Sequence, residues 1–123
     1  DNPYLPKNIE GENWVVYTGT HDNSTSISWW ESLDSDSKLR IKNEFKFSDK
    51  PSWSLIEIGM NTNANLFIVP IQDILSLDDS CRLNKPGTIE NNWKWKLNQP
   101  LEGIEENIRI FSKLGRDYGR IKN

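Results

Sequence analysis

The single histidine of this chain lies in the run Thr20-His21-Asp22-Asn23, which places a hydroxyl, an imidazole, a carboxylate and an amide in consecutive positions. Side chains of these types can transfer protons or bind the hydroxyl groups of a sugar. The run directly follows the apolar segment Trp14–Thr18, and a second polar pair, Gln72-Asp73, comes soon after another apolar segment, Leu66–Val69. Barrels of βα units hold their sites at the carboxyl ends of the strands, so we expect a sugar or phosphate site here.

The same residues also have structural interpretations, which the sequence alone leaves open. Asp22-Asn23-Ser24 has the composition of a helix N-cap, and His21 could be a hydrogen-bonded residue of a turn. One histidine without a set of acidic or cysteine ligands makes a weak metal site. The chain also lacks a glycine-rich phosphate loop and a serine on a nucleophile elbow. We therefore expect neither a metal nor a cofactor.

The elements that must position these residues alternate in the manner of parallel βα units. Trp14–Thr18 predicts a short buried strand, and the continuous apolar run Leu66–Val69 predicts a parallel strand covered on both faces. Three helices are expected between the strands. The first is predicted by Ile27, Trp30 and Leu33 at helical spacing. After a break at Asp34–Asp36, the segment Ser37–Phe47 predicts a second, more exposed helix. The third is predicted by the apolar stripe Trp53, Ile56 and Met60, with Ser52 as its N-cap.

The second half of the chain predicts a long polar loop, an exposed strand and a last helix. The loop covers Asp78–Asn92 and contains Pro86-Gly87, and the alternation in Trp93–Leu97 is typical of an exposed strand. A final amphipathic helix is predicted by apolar residues at three- and four-residue steps, namely Leu101, Ile104, Ile108, Phe111 and Leu114. Together these elements form one α/β domain over residues 1–123, with no separate second domain.

Length and apolar content suggest a part of something larger. The 123 residues suit one domain but fall far short of a complete (β/α)₈ barrel, which needs roughly 250. Only 35% of the residues are hydrophobic, so a core of this size would be marginally stable alone. Two strands rarely form an independent sheet. Since the chain also begins at Asp1 rather than Met, we expect it to be a piece of a larger α/β protein.

Charge, hydrophobicity and cysteine content argue against several kinds of partner and site. The 15 basic and 18 acidic side chains are mixed along the chain without a basic cluster, so nucleic acid and anionic membranes are poor candidates. The apolar run Leu66–Ile71 is too short to cross a bilayer. Cys81 is the single cysteine, which excludes an internal disulfide and a cysteine-based zinc site.

Six tryptophans in so short a chain are several times the usual number. Indole rings fill cores and also stack on the apolar faces of sugars. We expect Trp14, Trp30 and Trp53 to pack in the interior. For Trp93 and Trp95, beside the long loop, sugar contact and packing remain equally open.

The run Val15–Asn23 followed by Trp29-Trp30 resembles the last catalytic segment of the 4-α-glucanotransferases (amylomaltases or disproportionating enzymes, glycoside hydrolase family 77). Lys7 and Lys96 depart from the residues usual in that family, His and Arg. Further segments resemble the family in the same order along the chain: Tyr4–Pro6, Pro51–Trp53, Ile68–Leu75, Arg82–Asn84, Pro86–Thr88, Asn92–Trp95 and Tyr118–Arg120.

The resemblance implies an enzyme that transfers α-1,4-glucan segments between maltooligosaccharides with retention of configuration. The fold implied is a partial (β/α)₈ TIM barrel, of which this chain forms the last two βα units, the long polar loop and the C-terminal amphipathic helix. Asp22 would stabilise the oxocarbenium-like transition state, and His21 would donate to hydroxyls of the same ring. The residues that would bind substrate are Thr20, Asn23, Gln72, Asp73, Arg82, Asn84, Pro86, Gly87 and Trp93.

The resemblance also implies what this chain does not contain. In the family, the nucleophile and the acid/base lie on earlier strands, and no residue here matches either motif. We therefore expect the isolated chain to be inactive and to require the remainder of the barrel, besides its maltooligosaccharide or α-1,4-glucan. The implied location is the cytoplasm, or the plastid in a plant or alga. A non-catalytic glucan-binding module and a partner chain of a split barrel are the alternatives.

Overall fold

The computed structural model describes residues 2–121, which form two parallel strands with helices packed against one face of the pair. The strands are β1 (Val15–Tyr17) and β2 (Leu66–Ile68). The α-helices are α1 (Ser26–Ser32), α2 (Ser35–Glu44), α3 (Pro51–Met60), α4 (Ile71–Ile74) and α5 (Glu105–Asp117). Short 3₁₀ turns lie at Pro6–Asn8, Asp79–Cys81 and Leu101–Ile104. The described residues thus have the α/β organisation that the sequence predicts.

The two strands pair in parallel, with Val15 opposite Leu66 and Tyr17 opposite Ile68. Helices α1 to α3 form the connection between them, as a parallel pair requires. Because both strands run in the same direction, the loop after β1 and the start of α4 after β2 lie at one edge of the sheet. The predicted polar groups are therefore neighbours in space.

The sheet is covered on one face by α3, which packs against α1, α4 and α5. The buried core consists of Ile56, Met60 and Ile74, with Phe67 of β2 packed against it. Gly59 permits the close approach of α3 to the sheet, since a Cβ at this position would overlap the Phe67 ring. The interior therefore depends on a helix–strand contact that only glycine allows.

The opposite face of the sheet is exposed and apolar. Val15, Tyr17, Leu66 and Ile68 are 45–57% exposed, and all four belong to this face by the alternation of the strands. The predictions that Trp14–Thr18 is a buried strand and that Leu66–Val69 is covered on both faces are therefore wrong for the part of the chain that the structure describes. The apolar run does form a parallel strand, but residues 2–121 pack against only one face of it.

Arg120, near the end of the described residues, donates hydrogen bonds to the end of α3 and to the connection between α3 and β2. Its Nε donates to the Met60 carbonyl over 2.9 Å, Nη1 to the Ala64 carbonyl over 2.9 Å and Nη2 to the Thr62 carbonyl over 2.8 Å. The Met60 carbonyl, at the end of α3, lacks a partner within the helix, and the guanidinium supplies one there while also binding two carbonyls of the connection. This contact holds α5 and α3 together beside the core.

Three local predictions differ from the structure. Asp34 separates two helices as predicted, but α2 begins at Ser35 rather than Ser37, because the Asp34 carboxylate caps it by accepting a hydrogen bond from the Ser37 amide over 2.7 Å. Ser52 is not a cap, since α3 begins at Pro51 and Ser52 is buried inside it. Trp93–Leu97 is not a strand; Trp93 has a φ of +60°, which interrupts the extended conformation that alternation requires.

The ends of the remaining elements shift by a few residues. The predicted first strand is shorter by one residue at each end, and the second ends at Ile68 rather than Val69. Leu101 begins a 3₁₀ turn, and α5 itself starts at Glu105. Helix α4 was not predicted, because a single turn of four residues is too short to show a period.

Candidate functional site

The loop after β1 is a tight turn built by Asn23. The Oδ1 of Asn23 accepts from the Thr20 amide over 2.7 Å and from the Thr20 hydroxyl over 2.9 Å. The intervening side chains consequently point outward, and those of His21 and Asp22 are 54% and 49% exposed. Thr20 and Asn23 thus shape the turn on which the histidine and the carboxylate are presented.

The structure decides against the helix-cap interpretation of Asp22-Asn23-Ser24. The N-cap of α1 is Thr25, whose hydroxyl accepts from the Ser28 amide over 3.4 Å. Asp22 instead receives a hydrogen bond on Oδ1 from Nδ2 of Asn84, over 2.7 Å. A half-exposed carboxylate held from one side retains oxygen lone pairs for a ligand.

His21 lies between Asp22 and an aromatic ring. Its Nε2 is 3.3 Å from Oδ1 of Asp22, and its ring centroid lies 5.1 Å from that of Trp93. Trp93 is 60% exposed, and its amide donates to the Leu83 carbonyl over 2.6 Å. The imidazole is thus placed next to the carboxylate, with an open indole beside it.

Arg82 lies beneath this turn and is directed toward protein acceptors. Its Nη2 donates to the Asp22 carbonyl over 2.8 Å and its Nη1 to the Ser24 hydroxyl over 3.2 Å. Its Nε donates to the Asn84 carbonyl over 2.9 Å, and Nη1 lies 3.7 Å from Oδ2 of Asp79. Only 17% of the side chain is exposed. The guanidinium therefore links the loop after β1 to the segment that carries Asn84.

Asp73 is buried under the same edge of the sheet, at 2% exposure. It accepts from the Thr18 hydroxyl over 2.7 Å and from the Ser26 amide over 2.8 Å. A buried carboxylate needs such partners, and these two come from the end of β1 and the start of α1. Asp73 thus connects the two βα units rather than facing the open surface.

Gln72 and Gly87 each line a cavity or groove together with Arg82. The amide of Gln72 donates to the Cys81 carbonyl over 3.2 Å, and its side chain lines a cavity of about 110 Å³ with His21 and Asp73. Gly87 has a φ of +84° in an exposed turn and lines an open groove with Arg82 and Asn84. The predicted substrate-binding residues therefore surround one region, in which Asp22, His21, Trp93 and the turn are open to solvent.

Several residues that organise this region were not singled out from the sequence. Asp79 accepts from the Thr25 amide over 2.9 Å, and Thr18, Ser24 and Ser26 provide the contacts described above. Asp79 and Thr25 lie 54 positions apart, and no local pattern marks such a pair. Among residues 2–121, no group of three or more His, Cys, Asp or Glu side chains is placed to hold a metal ion. In the same range, no helix combines the length and the hydrophobicity needed to cross a membrane.

Comparisons with known proteins match this chain to one family. The family model described as 4-alpha-glucanotransferase matches residues 1–102. The chain is 40% identical over 127 residues to the chloroplastic/amyloplastic 4-alpha-glucanotransferase of Arabidopsis thaliana, covering 98% of this chain and 22% of that protein. It is 42% identical over 123 residues to the 4-alpha-glucanotransferase of Synechocystis sp., covering 97% of this chain and 24% of that protein.

A solved structure has the same fold over this segment. The amylomaltase from Streptococcus agalactiae, in complex with acarbose, superposes with a TM-score of 0.88 at 25% identity, over 99% of this chain and 25% of that one. The chain therefore spans about a quarter of the length of the relatives that it matches. The family model, the curated relatives and the solved structure all agree, and the chain belongs to the 4-alpha-glucanotransferase family.

Proposed function

We propose that this chain forms the part of a 4-alpha-glucanotransferase that stabilises the transition state of glucan transfer, with Asp22 as the stabilising carboxylate. The observation that carries the proposal is the half-exposed Asp22 carboxylate at the carboxyl edge of the parallel pair, held by Asn84 over 2.7 Å. The solved relative was in complex with acarbose, a glucan analogue, which supports an α-1,4-glucan as the substrate.

The proposed reaction retains the configuration of the transferred sugar. A nucleophilic carboxylate and an acid/base, about 5–5.5 Å apart, form and resolve a covalent glycosyl-enzyme. Neither has a matching motif in this chain; the family resemblance implies that both lie on earlier strands of the barrel. The contribution of Asp22 is to accept hydrogen bonds from hydroxyls of the distorted ring and to oppose its developing positive charge.

His21 and Trp93 would complete the same sugar subsite. The 3.3 Å separation between His21 Nε2 and Asp22 Oδ1 allows the imidazole and the carboxylate to bind neighbouring hydroxyls of one ring. The exposed indole of Trp93, in contact with the imidazole, offers a flat apolar surface to a pyranose. Hydrogen bonds that strengthen only in the transition state then increase kcat rather than affinity.

The exposed apolar face of the sheet supports a partial barrel over a stand-alone module. Val15, Tyr17, Leu66 and Ile68 form a contiguous surface that water would meet in an isolated module. In an intact (β/α)₈ barrel, residues alternating along the strands fill the interior in layers. We therefore assign this face to the interior of the barrel, and this chain to its last two βα units, the polar loop and the C-terminal helix.

The test is a chimera in which this chain replaces the matching segment of the Synechocystis 4-alpha-glucanotransferase. We expect the chimera to disproportionate maltotriose and Asp22→Asn to lower kcat by about 100- to 1,000-fold without altering the thermal midpoint. Asp36→Asn, on exposed helix α2, is the matched control and should retain full turnover. An inactive but folded chimera, or an Asp22→Asn variant with normal turnover, would contradict the proposed function.

A second experiment separates the intact enzyme from a split one. The Synechocystis protein is truncated before the matching segment, and this chain is added as a separate polypeptide. Activity recovered by mixing the two would favour the split barrel, whereas activity only in the covalent chimera favours a single chain. Tight binding of maltoheptaose by this chain alone, measured by calorimetry, would favour the glucan-binding module.

A further inference from the structure

We propose that Arg82 is a positioning residue, which fixes the Asp22 carboxylate from behind instead of contacting the glucan. This inference rests on the proposed function, because it concerns the same carboxylate. It replaces the role that the family resemblance implies for Arg82, which is substrate binding. Three features of the structure carry the inference.

The first feature is the number and placement of the acceptors around the guanidinium. Nη2 donates to the carbonyl of Asp22 itself over 2.8 Å, and Nη1 donates to the hydroxyl of Ser24 over 3.2 Å. The backbone of Asp22 and a side chain two residues later are thus held by one rigid plane. A flat group with fixed donors restrains a loop more tightly than an ammonium, whose three donors share one freely rotating nitrogen.

The second feature is that Arg82 also holds the group that binds the carboxylate. Its Nε donates to the carbonyl of Asn84 over 2.9 Å, and Nδ2 of Asn84 donates to Oδ1 of Asp22 over 2.7 Å. One guanidinium therefore sets both the backbone of Asp22 and the amide that orients its carboxylate. Loss of Arg82 would release both restraints together.

The third feature is the anchoring of Arg82 itself. The Oδ2 of Asp79 lies 3.7 Å from Nη1, while Oδ1 of Asp79 accepts from the Thr25 amide over 2.9 Å. Thr25 is the N-cap of α1, so the guanidinium is tied through Asp79 to a helix. With 17% of its side chain exposed, Arg82 has little surface left for a sugar.

The expected consequence is a loss of rate rather than of affinity. A displacement of about 1 Å in a group that acts in the transition state can cost on the order of 100-fold in rate. Arg82→Ala in the active chimera should therefore lower kcat by about that factor, with KM for maltotriose changed less than threefold. Arg82→Lys, which keeps the charge but not the planar set of donors, should lie between Ala and the wild type.

The decisive measurement is a double-mutant cycle between Arg82 and Asp22. If Arg82 acts through Asp22, then Arg82→Ala should have no further effect in an Asp22→Asn background, whereas independent roles would multiply the two losses. Guanidinium ion added to Arg82→Ala, below denaturing concentration, should restore part of kcat. Arg116→Ala, an exposed arginine of α5, is the matched control for loss of charge.

Each outcome bears on one proposal or on both. Multiplicative losses, or a raised KM with unchanged kcat, would overturn the assignment of Arg82 and leave the function of Asp22 intact. An inactive wild-type chimera, or normal turnover of Asp22→Asn, would overturn both. If Arg82→Ala fails to fold, Arg82→Lys is carried through the same cycle and decides the question.

Discussion

Asn84 donates a 2.7 Å hydrogen bond from Nδ2 to Oδ1 of Asp22, across 62 positions of the sequence. The contact joins the loop after β1 to the polar segment after the second βα unit. It leaves the Asp22 side chain half exposed while restricting its rotation. The orientation of the carboxylate proposed to stabilise the transition state is thus set by a residue from a different unit of the fold.

The Asn84–Asp22 hydrogen bond predicts a rate effect for Asn84→Ala. A hydrogen bond to a charged group contributes about 1.5–3 kcal/mol. Since part of this energy is present before the transition state, we expect kcat of the chimera to fall about tenfold, equivalent to about 1.4 kcal/mol. Steady-state kinetics with maltotriose measures the change, and Asn43→Ala on exposed helix α2 is the control. A raised KM at constant kcat would show that Asn84 binds glucan instead.

The contact between Gly59 and Phe67 predicts a stability effect. Any Cβ at position 59 would overlap the Phe67 ring, so Gly59→Ala must displace either that ring or α3. Overpacking of this kind costs about 1–3 kcal/mol. The thermal midpoint of the chimera measures the loss. Gly103→Ala is the control, because the nearest atom to its Cβ would lie 3.5 Å away, in ordinary contact. Equal midpoints for both variants would refute the close approach.

The hydrogen bond from Tyr118 to Glu57 predicts a dependence of stability on alkaline pH. The Tyr118 hydroxyl donates to Oε1 of Glu57 over 2.6 Å, which raises the pKa of the phenol above its ordinary value of 10. A raised pKa in the folded state means that the stabilisation is complete below the ordinary pKa. It is lost as the pH rises through the pKa of the folded state.

The measurement compares the thermal midpoint of the chimera with that of its Tyr118→Phe variant between about pH 8 and about pH 11. We expect the wild type to be the more stable at the lower pH and the difference to shrink as the pH rises. Tyr4→Phe serves as the control, because Tyr4 is 76% exposed. A difference that stays constant over this interval would mean that the Glu57 contact is not linked to ionisation of the phenol.

Local patterns predicted the elements that bring the site together. The apolar runs at β1 and β2 indicated two parallel strands, and the structure confirms that they pair in parallel. The spacing of Ile104, Phe111 and Leu114 indicated the last helix, which the structure places at Glu105–Asp117 with a preceding 3₁₀ turn. These features follow from neighbours within a few residues, because periodicity and propensity act over that range.

Local patterns failed where distant residues or single polar contacts decide the structure. The alternation of Trp93–Leu97 is that of a strand, yet a strand needs a partner, and Trp93 instead has a φ of +60° beside His21. Asp34–Asp36 predicts a break between two helices, which is confirmed, but the hydrogen bond from the Ser37 amide makes Asp34 a cap and starts α2 already at Ser35. In both cases the pattern is correct and its structural meaning depends on what the residue contacts.

The sequence by itself determined the family resemblance, the two βα units and the position of Thr20–Asn23 at the end of a strand. Only the tertiary structure decided which of the polar residues are open and which support them. Asp22 and His21 are half exposed, whereas Asp73 is buried and Arg82 is directed at protein acceptors. The reason is physical: the contacts that distinguish these roles join residues 47 to 62 positions apart, and such distances leave no trace in local spacing.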